Sequence, residues 1–496
     1  MMVPICHQTP SAVPTVIRHA RPFDGDPPPP GGSPKPKDYQ QLYFNVRHKP
    51  LVVHDVTVKG DDRTRPGLFD KVLAPIYRAG SLDELRVKCL EANAILNSYN
   101  IFDKVDILCD AGPSNEPDTA SVVVEVHEKN KLNLHGGAYV SQSGEGSMEF
   151  SAGLNNAFGF AEKLDVEVLQ GHERSSTYGL AWAQPRVANQ DVDVTTRMYQ
   201  QVSCSKRLSS FDETARGVSV TAVGGGPATL EYALVFREIA DPTRLASKAI
   251  RHQLGHSLKS SITYSYVIDT RDRPTRPLSG HLYRFRSELA GIGADPQMAR
   301  FFKQEIEAQH VITPVDGVTL SASAKLGVLH PLGLSSKKKG TCVADRFFLG
   351  GVGSLRGFDT HGVGPSDERR PPKDVEVAKA QGVLQRDSLG GDVVGSVFLQ
   401  AQVEPTWKKL REIGAYGHAF VNAGTLVGFG GESNQGPSSG VLSDSKDSMR
   451  VSVGVGLVFP LPIGNVEVNY VRTALSGSND RRKEGLQIGL ATALAF

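Results

Sequence analysis

Three sets of residues in this chain are of types that could carry chemistry. His252 and His256 stand four apart, a spacing that places two imidazoles on one helix face in some zinc proteases. Here they lack the glutamate and the helical pattern of such a site, so no metal is expected. Cys6, Cys89, Cys109, Cys204 and Cys342 are odd in number, widely spaced and form no CxxC pair. That supports neither a zinc site nor a disulfide framework, and the cysteines read as free buried thiols. The third set is the run 345–364, DRFFLGGVGSLRGFDTHGVG. Its Gly351-x-Gly353 has the look of a dinucleotide loop, but no helix pattern follows and there is no βαβ unit, so no nucleotide cofactor is expected. What is left is Leu355-Arg356-Gly357-Phe358, a bulky-Arg-Gly-aromatic run inside a glycine cluster.

The elements that would position that run come next. Residues 1–45 hold Pro27-Pro28-Pro29-Pro30 and Gly31-Gly32-Ser33-Pro34 with few core-forming residues, the composition of a disordered arm. Residues 48–130 form a different pattern. Leu51-Val52-Val53 and Val56-Thr57-Val58 read as a strand, 66–78 as a helix interrupted at Pro75, and 82–99 as a second helix. In the second helix Leu82, Leu85, Cys89, Ala92, Leu96 and Tyr99 share one face, and Ser81 with Glu84 makes a capping box. Val105, Ile107 and Cys109, then Val122 to Val126, read as two more strands. The order is β-α-α-β-β, a small α+β layer.

From residue 131 to the end no amphipathic helix is evident, and apolar residues recur at every second position. Leu230, Tyr232, Leu234 and Phe236 do so around Glu231; Ile262, Tyr264, Tyr266 and Ile268 around Ser265; Val466, Val468 and Tyr470 around Glu467 and Asn469. Period two gives each strand one apolar and one polar face. It does not say whether the apolar face is a soluble core or a lipid-facing wall. Two features favour the wall. Residues 131–496 are too many for one sandwich and show no linker between repeated ones, but would make about 16 membrane strands. The final Leu494-Ala495-Phe496 suits a strand that pairs rather than a soluble edge. No run of 18 apolar residues occurs, so no transmembrane helix is expected, and barrel strands need none. Fifty-five basic against 53 acidic residues, net +2, give no reason to expect a nucleic-acid partner. MMVPICHQTPSAVP lacks the basic and apolar regions of a secretory signal peptide. Lys337-Lys338-Lys339 reads as a solvated turn.

With these elements in place, Leu355-Arg356-Gly357-Phe358 resembles the (V/L)RG(F/Y) signature of the BamA-type outer-membrane-protein assembly superfamily. Other pieces are similar in order. They are Leu154-Asn155-Asn156-Ala157-Phe158-Gly159 with Glu162-Lys163-Leu164; Asp269-Thr270-Arg271-Asp272; Gly390-Gly391-Asp392; Phe420-Val421-Asn422-Ala423-Gly424; and Gly454-x-Gly456 ahead of Tyr470. The α+β layer resembles the POTRA module that precedes these barrels. The likeness covers about residues 48–496. One POTRA-like layer and no signal peptide resemble the mitochondrial branch, the sorting and assembly machinery.

The resemblance implies a barrel of about 16 antiparallel strands behind one POTRA domain, with boundaries at 1–45, 48–130 and 131–496. It implies an integral protein of the mitochondrial outer membrane that inserts and assembles other barrels through a seam between its first strand, within 132–142, and its last, within 485–496. Its partners would be unfolded barrel clients, accessory subunits of the machinery and outer-membrane lipid. No enzymatic activity and no cofactor is implied. In the family the loop arginine packs on acidic residues of nearby strands, so Arg356 is the loop anchor. Asn422 is the matching partner position, where bacterial relatives have aspartate, and Glu404 is a second candidate. Gly136, Gly137, Gly485 and Gly489 would either loosen the seam or only bend the barrel. Lys483, Gly485, Ile488 and Leu490 fit the family's C-terminal targeting pattern. Two alternatives stay open: a translocation pore of the same superfamily in a plastid outer envelope, and a soluble β-rich binding protein.

Overall fold

A computed structural model describes residues 47–491, apart from 114–117, 141–144, 188–189, 275, 294, 296–297, 334–339, 372–384, 430–448 and 462–463. The arm expected at 1–45, the lysine run at 337–339 and the final Leu494-Ala495-Phe496 lie outside the described residues.

Two compact units are present. The first is built on β1 (Val52–Lys59), α1 (Pro66–Leu73), a 3-10 turn (Ile76–Arg78), α2 (Leu82–Ser98), β2 (Phe102–Ala111) and β3 (Thr119–Glu128). Pro75 separates α1 from the 3-10 turn, because it cannot donate to the preceding turn. Ser81 caps α2 by accepting from the Glu84 N–H at 3.3 Å. Glu84 reaches back one residue further than a capping box requires, to the Gly80 N–H at 2.9 Å. The three strands run β1-β3-β2, with β1 parallel and β2 antiparallel to the middle strand. Leu85, Cys89, Ala92 and Leu96 of α2 pack on Val122, Val124 and Val126 of β3.

The second unit carries a single row of sixteen strands. They are β4 (Leu132–Val140), β5 (Gly146–Asn155), β6 (Lys163–Gly171), β7 (Ser176–Gln184), β8 (Val192–Cys204), β9 (Asp212–Gly224), β10 (Ala228–Ala240) and β11 (Gly255–Asp269). β12 (Gly280–Ala290), β13 (Phe301–Val315), β14 (Val318–Pro331), β17 (Val393–Val403), β18 (Tyr416–Val427), β19 (Arg450–Leu461), β20 (Gly464–Leu475) and β21 (Gly485–Ala491) follow. Between β14 and β17 the chain makes a long loop that holds a short hairpin, β15 (Ser366–Glu368) with β16 (Arg386–Ser388). Strands adjacent in the row are sequence neighbours except across that loop, and β4 and β21 stand at its two ends.

Exposure decides what period two left open. Along β10, Leu230, Tyr232, Leu234 and Phe236 are 42–50% exposed, while Arg237 is 4% exposed. The same inversion runs through the row. Ile262, Tyr264, Phe285, Leu326, Leu399 and Val455 are exposed; Glu288, Glu307, Gln402, Asn422, Glu467 and Asn469 are buried. In water a wall of this apolar area would aggregate; in a bilayer it is the solvated face, and the buried polar face lines a lumen. The chain is therefore a transmembrane β-barrel of 16 antiparallel strands with an N-terminal α+β layer. No helix among the described residues is long and apolar enough to cross a membrane.

Candidate functional site

Arg356 is buried in the lumen, and its side chain is held on three sides. Its Nε and Nη2 donate to the two carboxylate oxygens of Glu467 on β20, at 2.9 and 2.8 Å. Both side chains are almost fully buried. This two-pronged geometry suits a planar guanidinium, and a lysine could not reproduce it. The guanidinium also lies over the Phe398 ring of β17 at 4.4 Å and the Phe420 ring of β18 at 5.2 Å, which screens the pair from water.

Glu467 is the first member of a chain of side chains. Its Oε2 also accepts from Asn469 Nδ2 at 2.8 Å. Asn469 Oδ1 accepts from His418 Nε2 at 2.6 Å, and Gln400 Nε2 donates to His418 Nδ1 at 2.7 Å. The neutral Nε2–H tautomer of His418 satisfies both contacts. Each of these residues faces inward from β17, β18 or β20.

The loop backbone is held as well. Ser452 Oγ of β19 donates to the Arg356 carbonyl at 2.5 Å. Asn422, with its amide turned so that every atom is satisfied, accepts the Arg356 N–H at 2.7 Å and donates to Ser452. Beyond Arg356 the loop lies along the turn before β21. Lys483 N–H donates to the Gly357 carbonyl at 2.9 Å, Asp359 N–H to Arg481 at 2.9 Å, and Arg481 N–H to Gly362 at 2.8 Å. Gly357 has φ +90°, and a Cβ there would sit 2.9 Å from Ser452 Cβ, so only glycine fits. Leu355 and Phe358 are fully buried in an apolar cluster with Phe347, Leu349, Val394 and Leu426.

The loop has a second attachment at its start. Asp345 accepts from Arg237 of β10 at Nη1 and Nη2, 3.0 and 2.9 Å away, and from Lys259 Nζ of β11 at 3.3 Å. Lys303 Nζ of β13 donates to the Asp345 carbonyl at 3.0 Å. Burial alone would raise the Asp345 carboxyl, but these cations hold it well below the usual carboxylate range. Further along, burial and the Arg481 charge push His361 down to about 4, and its neutral ring stacks on Phe348 at 4.3 Å.

The residues singled out from the sequence fall into three groups. Leu355, Arg356, Gly357, Phe358 and Asn422 meet at one place. Asn422 binds the Arg356 backbone rather than its guanidinium. Glu404 does not reach Arg356: it pairs with Arg276 at 3.1 Å, because its position near the end of β17 puts it at another level of the lumen. The acidic partner is Glu467. Alternation on β20 already placed Glu467 on the polar face, but nothing in the sequence gave the register between loop and strand. For Asp345, Arg237 and Lys259 no sequence signal stood out.

The glycines differ from one another. Gly136 and Gly137 lie in β4, and a Cβ on Gly136 would make an ordinary contact with Phe150 at 3.8 Å. Gly485 opens β21 with φ +90°. Gly489 faces the loop: a Cβ there would meet Val352 Cγ2 at 2.7 Å, so its smallness seats the loop on the last strand. Lys483 is exposed in the preceding turn, Ile488 points outward, and Leu490 lies in β21.

His252 ends a short helical turn, while His256 lies on β11 stacked against Phe236, so they do not face a common ion. Among the described residues no cluster of three metal-ligating side chains occurs. Cys6 lies outside the described residues, and the other four cysteines depart in part from the expectation of buried thiols. Cys89 is buried, but Cys109 is exposed and Cys204 and Cys342 are partly so.

The Omp85 superfamily domain matches residues 156–493. The sorting and assembly machinery component 50 homolog A of Xenopus laevis is 32% identical over 493 residues, covering 95% of this chain and 98% of the relative. The Homo sapiens homolog is 31% identical over 469 residues, 92% of each. The outer membrane protein assembly factor BamA of Neorickettsia risticii is 26% identical over 89% of this chain and 55% of its own length. A crystal structure of BamA from Haemophilus ducreyi lacking POTRA domains 1–3 superposes with TM-score 0.70 at 17% identity, over 88% of this chain and 83% of that one, which bears on the fold. These matches give no support to the plastid-envelope alternative. With a superfamily domain across two thirds of its length and a 32% identical relative covered almost end to end, the chain belongs to the Omp85 superfamily and, within it, to the sorting and assembly machinery component 50 family of integral mitochondrial outer-membrane barrels.

Proposed function

We propose that this chain assembles β-barrel proteins into the mitochondrial outer membrane, and that insertion takes place at the edge between β4 and β21. Relatives named as a sorting and assembly machinery component and as an outer membrane protein assembly factor support the first part. The physical problem is clear. A client strand entering hydrocarbon carries unpaired N–H and C=O groups, each costing several kcal/mol. A strand edge at the end of the row offers those groups partners, and the client adds by β-augmentation. No covalent bond of the client changes, so the chain acts as an assembly factor and not as an enzyme, and it requires no cofactor.

The observation that carries the reading is the lock on the loop. Arg356–Glu467 and the Gly489–Val352 contact hold the loop against β20 and β21, the strands at one end of the row. The loop is thereby placed to set the shape of the edge that a client meets. Unfolded barrel proteins, accessory subunits and outer-membrane lipid are its partners. Residues 48–130 act as the POTRA domain and 131–496 as the barrel, and Lys483, Gly485, Ile488 and Leu490 serve this chain's own assembly.

The test is import of radiolabelled barrel precursors into mitochondria whose copy of this protein is Arg356→Ala. The variant should remain in the pellet after alkaline carbonate extraction while precursor assembly slows. Precursor assembly at the unmodified rate, with the variant inserted, overturns the role given to the loop.

A further inference from the structure

Two of the chain's thiols face each other in the α+β layer. Cys89 lies on the buried face of α2, one turn beyond Leu85. Cys109 lies on β2, on the face shared with Val105 and Ile107, and is paired in the ladder with Val122 of β3. Their sulfurs are 3.9 Å apart. A disulfide bond is about 2 Å long, so closing it asks the sulfurs to approach by about 2 Å, and it would tie a helix to the outermost strand of the sheet β1-β3-β2.

The two sulfurs are not equivalent. Cys109 is exposed and Cys89 is buried, so a reagent from solution meets Cys109 first. The two thiols are in hydrogen-bond contact, in which either can donate; that contact holds the Cys109 thiol below its ordinary value, while the same contact and burial push Cys89 up. The more acidic thiol is the one in reach, and the protected thiol stands behind it. That is the order in which an attacking and a resolving cysteine work.

We propose that Cys89 and Cys109 are a reversible thiol modification site, oxidised to an intramolecular disulfide by a small-molecule or protein disulfide. The Cys109 thiolate attacks one sulfur of the oxidant R–S–S–R. The oxidant's S–S bond breaks, the first RS⁻ leaves with the bonding electron pair, and Cys109–S–S–R forms. Cys89, on losing its proton, attacks the Cys109 sulfur and expels the second RS⁻. The chain loses two protons and two electrons, and the oxidant becomes two thiols. The bond closes the segment from Cys89 to Cys109 and fixes α2 on β2. This inference does not depend on the seam reading.

The test uses the full chain in isolated outer membranes, exposed to oxidised glutathione, then alkylated and digested with trypsin without reduction. Cleavage after Lys88, Lys104 and Lys129 leaves the two cysteines on separate peptides, 89–104 and 105–129. The expected result is a linked pair of these peptides that separates on reduction, and Cys89→Ser should leave Cys109 carrying glutathione. Recovery of both peptides fully alkylated after oxidation overturns the proposal, as does a Cys89→Ser chain whose Cys109 takes up no glutathione. Cys204 and Cys342, read in the same digest, report general oxidation; a linked pair joining either of them to Cys89 or Cys109 in place of the 89–109 pair also overturns it.

Discussion

Glu467→Gln should release the loop, and the size of the effect can be worked from the contacts. The substitution keeps the shape of the side chain and removes one charge from a buried two-pronged pair whose members are 3% and 6% exposed. Removing one partner of a buried ion pair costs about 3–5 kcal/mol, most of it from the charge left behind. At about 1.4 kcal/mol per decade, the undocked population of the loop rises by roughly two to three and a half decades. The backbone bonds that report docking are the N–H groups of Asp359, Arg481 and Lys483, which donate across the loop and the turn before β21. Hydrogen exchange at these amides, followed by mass spectrometry on the protein in lipid nanodiscs, should accelerate by about 100-fold or more.

Glu404→Gln is the matched control, because Glu404 is paired to Arg276 elsewhere in the lumen. It should leave the same amides within a few-fold of the parent. Arg356→Ala with Glu467→Ala together should cost less than the sum of the two single changes, since no charge is stranded. Equal exchange in Glu467→Gln and Glu404→Gln would refute the assignment of Glu467 as the anchor partner, whatever client assembly does.

Other expectations follow from the same contacts. Gly489→Val should displace Val352 and raise exchange at the Lys483 amide, while Gly136→Ala, at an ordinary contact distance, should not. Asp345→Asn should expose the start of the loop to added protease while leaving the Arg356 end protected, because the two attachments share no residue. His361 gives a pH test. Its value when docked, about 4, lies below its ordinary 6.5, so the docked loop binds fewer protons than the released one. Docking is at full strength above pH 6.5 and weakens as pH falls towards 4, by at most about 3 kcal/mol. Exchange of the loop amides at pH 7.5, 6 and 5, corrected for intrinsic rates, should show that trend, and His361→Phe, which keeps the stack on Phe348, should flatten it.

Much of the fold was legible in the sequence because period two and the helix signals are local. Ser81 marked the start of α2, Pro75 broke α1, and Leu230 to Phe236 showed a two-faced strand. The choice between core and lipid wall was not local. Leu230 and Val122 look alike in sequence; one is half exposed and the other buried, because one belongs to a barrel's outer face and the other to a small core. The loop motif was legible as a marker, and Arg356 as its centre. Its partner was not, since Glu467 is 111 residues away and only the path of the loop inside the lumen brings them together. The same holds for Cys89 and Cys109, whose spacing matches no metal or disulfide motif and whose contact depends on how α2 packs on β2.

The two attachments of the loop lie far apart around the barrel. β10, which holds Arg237, stands eight places along the row from β20, which holds Glu467, with seven strands between them. Between them the segment from Asp345 to Arg356 passes β13, β14, β17 and β18 in turn: Lys303 bonds Asp345, Phe347 sits against Gly327 and Val394, and Leu349 and Leu355 sit against Gly424. Buried ion pairs often stabilise no better than apolar contacts of the same volume. What they add here is position. An apolar loop in a wide, polar lumen could settle in many ways, whereas a guanidinium that needs the Glu467 carboxylate at one end, and a carboxylate that needs Arg237 at the other, admit one path. That path runs over Gly489 and along the turn that starts β21. The end strand of the barrel thus lies against a loop that is fixed independently at both ends, to Arg237 and Lys259 at its start and to Glu467 beside β21.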